Sequence, residues 1–155
     1  MNQKQTIVIT GAASGIGRAT VELFSKRGWH VVATMRKPEV HKELSHLKGV
    51  SLYQLDVTNE MSIREAFKQI VSDHGKMNVL LNNAGYGAVE IFEEASPEQI
   101  QRQFDTNVFG GHECDSGSTP ILPQTAERTD CDRFLRRWTD HIPNSQLVSQ
   151  FKMGD

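Results

Sequence analysis

Short apolar runs alternate along this chain with longer stretches in which apolar residues recur every three or four positions. The runs near residues 5–10, 30–35, 51–55 and 78–82 read as strands. Between them, Val21, Leu23 and Phe24 within 19–27, and Ile63, Phe67 and Ile70 within 63–71, fall on helical stripes of the kind that face a core. Ser96-Pro97-Glu98-Gln99 predicts a capping box with proline in the first turn, opening a helix that runs toward Asn107. Strand and helix thus alternate through the first 111 residues in the way of a doubly wound parallel sheet of the α/β class.

From His112 onward the pattern dissolves. His112-Glu113-Cys114-Asp115-Ser116-Gly117-Ser118-Thr119-Pro120 shows no period, and residues 125–137 are polar with scattered acids and bases. Phe134, Leu135 and Trp138 amount to one helical turn, too short a cluster to hold itself in order. The expected organisation is a partial domain over 1–111 and an irregular tail over 112–155 with no strand in it. On that reading Val79-Leu80-Leu81 would stand at an exposed apolar sheet edge, which invites aggregation or pairing with another chain.

The most specific chemistry lies at the first strand-to-helix junction. Ile7-Val8-Ile9 leads into Thr10-Gly11-Ala12-Ala13-Ser14-Gly15-Ile16-Gly17 and then into a helix. A strand, a glycine turn and a helix N-terminus present unpaired N–H groups and the positive end of the helix dipole to a phosphate, and glycines allow close approach. The spacing G-x-x-x-G-x-G has a longer first gap than G-x-G-x-x-G. Arg18 stands where a P-loop would carry lysine, which argues against a nucleoside triphosphatase.

Three further segments accompany the loop in order: Asp56-Val57 after the third strand, Asn82-Asn83-Ala84-Gly85 after the fourth, and Asn107 within Asp105-Thr106-Asn107-Val108. Together these resemble the short-chain dehydrogenase/reductase family from residue 5 to about residue 111. The resemblance implies an incomplete Rossmann-type doubly wound parallel sheet and a hydroxyl/carbonyl oxidoreductase using a nicotinamide dinucleotide. It implies that Gly11, Ser14, Ile16 and Gly17 hold the pyrophosphate and riboses, that Asp56 and Val57 flank adenine, and that Asn83, Ala84 and Gly85 line the adenosine ribose. Asn107 would be the asparagine of the catalytic tetrad. The second strand ends in Met35-Arg36-Lys37, with no carboxylate for an adenosine 2′-hydroxyl, so Arg36 favours NADP over NAD.

The rest of the family's chemistry is missing from the chain. In this family a tyrosine donates the proton and a lysine four positions later lowers its pKa. Tyr53 is followed at that spacing by Val57 and Tyr86 by Glu90, so no Y-x-x-x-K exists. A fragment that keeps the cofactor half is therefore expected to be inactive alone. The alternative is a non-catalytic dinucleotide-binding module acting with a partner, a complementing C-terminal fragment or a second copy of the chain.

The abrupt change of character suggests a reading-frame change near Gly110 or Gly111. Shifted by one base, the codons of 134–138 permit S-S-x-G-G and those of 148–154 permit Y-H-N-S-K-W-A. Two of these positions are forced, because Trp138 before a codon starting with A gives GGA, and Met153 before a glycine codon gives TGG.

Charge and composition exclude other classes. With 155 residues, Lys+Arg 17 against Asp+Glu 19, there is no electrostatic case for nucleic acid or an anionic membrane surface. No apolar stretch reaches membrane-spanning length and the N-terminus has no signal-peptide pattern, so the cytoplasm is the expected location. Cys114 and Cys131 lie near His112 and His141 without the paired spacing of a zinc site, and free thiols are expected.

Overall fold

A computed structural model describes residues 4–87 and 95–118 and the backbone of 127–130. The strands are β1 (Thr6–Ile9), β2 (His30–Met35), β3 (Val50–Gln54), β4 (Val79–Asn82) and β5 (Glu127–Asp130); the helices are α1 (Gly15–Lys26), α2 (Glu60–His74), α3 (Pro97–Phe104) and α4 (Gly110–Ser118). Two short 3₁₀ turns, Pro38–Val40 and Lys42–His46, link β2 to β3. All strand pairs are parallel, in the order β3-β2-β1-β4-β5. The order reverses between β1 and β4, and ligands in such sheets bind outside the carboxyl ends of the strands at this point.

Period-two alternation along β1 divides the core into two layers. Ile7 and Ile9 face a cluster with Val21, Phe24, Val31, Leu44 and Leu81, while Val8 faces one with Ile63, Phe67, Ile70, Leu80 and Cys114. The stripe residues Val21 and Phe24 of α1, and Ile63, Phe67 and Ile70 of α2, are buried as the spacing predicts, whereas Leu23, one position off the face shared by Val21 and Phe24, is only half-buried.

Two expectations about the stretch after Gly111 are corrected. The helical path continues to Ser118 rather than dissolving at His112. Its inward face carries Gly110, Cys114, Gly117 and Ser118, a row of small side chains at helical spacing that lets α4 sit directly on α2. A Cβ on Gly117 would lie 3.0 Å from Cγ2 of Ile63, and one on Gly110 would lie 2.8 Å from Cγ2 of Val57. No apolar stripe is needed where the backbone of one helix lies this close to the apolar side chains of its neighbours. The second correction concerns the sheet. Residues 127–130 form β5, paired with Val79–Asn82, so β4 is an inner strand and its expected exposed edge is covered. Of the two cysteines, Cys114 is a buried free thiol; Cys131, His141, 134–138 and 148–154 lie outside the described residues.

Candidate functional site

The glycine loop is shaped by contacts that its sequence makes obligatory. Gly11 has φ +65°, and a Cβ there would meet Cα of Ala84 at 2.7 Å, so the position excludes every other residue twice over. Gly17 lies in the first turn of α1, where a Cβ would stand 2.5 Å from both Nδ2 of Asn83 and the carbonyl oxygen of Gly11. Its absence allows α1 to pack against the end of β4.

Thr10 ties the two ends of β1 and β4 together. Its hydroxyl accepts hydrogen bonds from the backbone N–H groups of Asn83 and Ala84, both at 3.0 Å, and its side chain reaches the carbonyl of Leu81 at 3.4 Å. One donor and two acceptor positions exhaust what a threonine hydroxyl has. The Asn83 amide completes the brace by donating to the carbonyls of Thr10 (2.9 Å) and Gly11 (3.1 Å). Asn83 thus holds the loop in shape from behind.

The α1 N-terminus differs in chemistry from the other helix starts. Asn59 caps α2 by accepting from the N–H of Ser62, and Ser96 caps α3 in a full capping box with Gln99. Ser14, at the N-cap of α1, makes no side-chain bond to its own helix, and no acid stands in the first turn. Its hydroxyl, the leading N–H groups and the helix dipole therefore face outward together, the donor set that a pyrophosphate requires.

Beside this loop opens a cavity of about 700 Å³. One wall combines the loop and the carboxyl ends of β2 and β3: Gly11, Ser14, Met35, Arg36, Asp56 and Val57. Ala84 and Gly85 continue the floor. A further part of the lining, Gln99, Arg102, Asp105 and Thr106, comes from the helix that follows β4, and sequence reasoning did not single it out. Of the expected site residues, Gly11, Ser14, Arg36, Asp56, Val57, Ala84 and Gly85 line this cavity, whereas Ile16, Gly17, Asn83 and Asn107 do not. Thr58 joins the lining through Asp56, whose Oδ1 accepts from the N–H (3.0 Å) and hydroxyl (2.7 Å) of Thr58. This local turn fixes the carboxylate at the rim.

Asn107 sits where the helix widens. Between α3 and α4 the turn Asp105–Phe109 is a π turn, a distortion often found at functional sites. Its amide pairs reciprocally with one backbone residue across the cleft: Oδ1 accepts from the N–H of Tyr86 at 3.0 Å and Nδ2 donates to its carbonyl at 2.9 Å. Asn107 therefore fastens the segment after β4 to the helix. At the far side of the sheet, the Tyr53 hydroxyl donates to Oδ2 of Asp73 at 2.8 Å, and burial pushes its pKa upward. A phenol held in that way, away from the cavity, is unsuited to proton donation there. Burial likewise pushes the Cys114 thiol up to about 12, with Asp115 and Glu113 adding to the effect.

Comparison with known proteins agrees with this geometry. Residues 5–127 match the family described as short chain dehydrogenase. A 3-ketodihydrosphingosine reductase from Bacteroides thetaiotaomicron is 43% identical over 108 residues, covering 70% of this chain and 38% of that protein. Among solved structures, ElxO with NADP bound superposes with a TM-score of 0.69 at 31% identity, over 76% of this chain and 50% of that one. A 3-ketoacyl-(acyl-carrier-protein) reductase from Brucella melitensis complexed with NADH gives a TM-score of 0.71 at 28% identity, over 76% and 50%. The chain thus spans half or less of the length of these relatives. No helix among the described residues is long and apolar enough to cross a membrane.

Proposed function

The chain belongs to the short-chain dehydrogenase family, and from that premise we propose that it is the cofactor-binding portion of an NADP-dependent oxidoreductase interconverting hydroxyl and carbonyl groups. The observation that carries this reading is the junction at Gly11, where the positive φ and the 2.7 Å approach to Ala84 open a cavity beside an uncapped helix N-terminus. Ser14, Gly17 and the first N–H groups of α1 would hold the pyrophosphate, with Gly11 and Ile16 shaping its seat. Asp56 and Val57 would border adenine, and Ala84 and Gly85 the adenosine ribose. Bound there, the dinucleotide supplies a hydride; this chain contributes binding, orientation and Asn107. A cytoplasmic location belongs to the same reading.

Arg36 supports NADP over NAD, since a guanidinium at the end of β2 complements a 2′-phosphate. No carboxylate lies within salt-bridge distance of it among the described residues. Titration of the purified chain with NADPH and NADH tests the reading: NADPH should bind more tightly, and Arg36→Ala should narrow the gap by about 1.5–3 kcal/mol, the range for a hydrogen bond to a charged group. Equal affinities in the parent chain would reduce Arg36 to a surface residue.

A second reading has its own support. Neither tyrosine precedes a lysine at the required spacing, and Tyr53 is engaged by Asp73. On this view the chain binds the dinucleotide without turning it over and acts with a partner, either a complementing C-terminal fragment or another copy. Carbonyl reduction that copurifies with the chain through every step would rule it out.

A further inference from the structure

The helical part of the cavity lining carries a second cation. Arg102 lines the same cavity as Arg36 but enters from α3. Among the described residues its side chain makes one long hydrogen bond, from Nε to the carbonyl of Glu98 in the preceding turn at 3.4 Å. Neither Arg36 nor Arg102 has a carboxylate within 4.0 Å among the described residues, whereas Arg18 and Arg64, which lie off the cavity lining, are both paired with glutamates. Two guanidinium groups that line one cavity, one from the end of β2 and one from α3, neither locked in an ion pair among the described residues, form a site for a doubly charged, multi-oxygen anion.

The other charges of the cavity fix which anion. Asp56 is turned to Thr58, and Asp105 accepts from Nε2 of Gln101 at 2.7 Å along its own helix. Arg102 and Asp105, three residues apart in sequence, are the two charged side chains that this helical segment contributes to the lining, so its formal charge there sums to zero. Removing Arg102 would leave the wall net negative.

We infer that Arg102 is a specificity-determining residue that works with Arg36 to read the adenosine 2′-phosphate, closing over it from the helical side. The inference rests on the cofactor reading given above. It is separable from that reading because adenine, ribose and pyrophosphate are common to both nicotinamide cofactors, and the 2′-phosphate is not.

The test uses adenosine 2′,5′-bisphosphate and adenosine 5′-monophosphate as probes on the full chain, with Arg102→Gln and Arg64→Gln compared by calorimetry and folding checked by circular dichroism. Arg102→Gln should weaken the bisphosphate roughly tenfold, the size of one charge-assisted contact, while the monophosphate changes by less than about twofold. Arg64→Gln, which removes the same charge from the outer surface of α2, should change neither. Equal losses on both probes would show that Arg102 packs on adenine or merely supports the wall, and no loss would show a solvated helix face; either result overturns the assignment and leaves the cofactor reading standing. A parent chain that binds NADPH but shows no preference for the bisphosphate overturns it as well. A parent chain that binds neither probe nor NADPH overturns the cofactor reading, and this one with it.

Discussion

The two junctions that follow β1 and β4 are built on opposite principles. After β1, shape is held by polar bonds that only particular residues can make: the Thr10 hydroxyl, the Asn83 amide, and glycines at 11 and 17 whose Cβ positions are already filled by neighbours. After β4, α4 docks mainly through smallness, with Gly110, Cys114, Gly117 and Ser118 turned inward toward α2 and Val57, and is pinned to the strand end by the Asn82 amide, which donates to Oδ1 of Asp115 at 2.9 Å and to the carbonyl of Gly111 at 3.4 Å. The first junction demands identities throughout, whereas the second combines a few such polar bonds, from Asn82 and Asn107, with a helix face on which side chains need only be absent or short. Function concentrates where identity is demanded, because a ligand needs donors at fixed positions and a helix interface does not.

The sharpest break of this comparison is catalytic. The chain holds Asn107 but no Y-x-x-x-K, so no carbonyl reduction above background is expected with NADPH or NADH. If the stretch after Gly110 is out of frame, moving its gene forward by one base should spell S-S-x-G-G and Y-x-x-x-K and convert no turnover into NADP-dependent turnover in one step. Sequencing decides it first: an early stop codon in the shifted frame, or codons that spell neither motif, would end that account.

Next in size is the loop itself. Gly17→Ala places a methyl group 2.5 Å from a carbonyl oxygen and an amide nitrogen that cannot both retreat, since Asn83 is bonded to Thr10 and Gly11. Overpacking of this kind costs about 1–3 kcal/mol, and the shift of α1 away from the loop should also abolish measurable NADPH binding. Chemical denaturation with and without NADPH reads both effects. Retained ligand stabilisation would mean that the close approach of α1 is dispensable.

What could be seen in the sequence follows the same division. The four strands, the α1 and α2 stripes and the capping box at Ser96 were legible because each has a period or a paired signature. That Gly11, Asp56 and Ala84–Gly85 gather at one cavity was legible because each sits in a short motif at the carboxyl end of a strand. The run Gly110 to Ser118 was not, because a helix face made of glycine, serine and cysteine carries no hydropathy period. Nor was β5, since Glu127-Arg128-Thr129-Asp130 has no apolar alternation and is held in the sheet by backbone pairing with β4. The cavity wall of Gln99, Arg102 and Thr106 escaped for a different reason: its membership depends on the helix folding back over the strand ends, which no local pattern encodes.

Docking through smallness has its own test, with an intermediate effect expected. Gly117→Leu would drive a branched side chain into Ile63 and Phe67, whose nearest atoms already lie 3.0 and 3.5 Å from the Cβ position. A loss of about 1–3 kcal/mol is expected in a denaturant titration, because α2 forms the core on that side of the sheet. An unchanged midpoint would mean that α4 contributes no stability and that only the first junction organises the fold.

The smallest expected effect lies at the far edge, away from both junctions. His74 at the end of α2 places Nε2 3.1 Å from the Tyr53 hydroxyl, with Asp73 bonded to the same hydroxyl and the His30 ring 6.1 Å away. Burial lowers the pKa of His74 and the charge of His30 lowers it further, while Asp73 opposes both. The folded chain therefore binds a proton at His74 less readily than the unfolded chain, whose imidazole titrates near the ordinary value of 6.5. Stability from this source is fully present above that value and is lost as the pH falls through it toward the folded pKa, because the unfolded state takes up the proton first. Melting temperatures of the parent chain should fall between about pH 7 and about pH 5, and His74→Gln, which can still bond Tyr53, should flatten that slope. Identical slopes in the two proteins would show that His74 is too well solvated for its neutral form to matter to the fold.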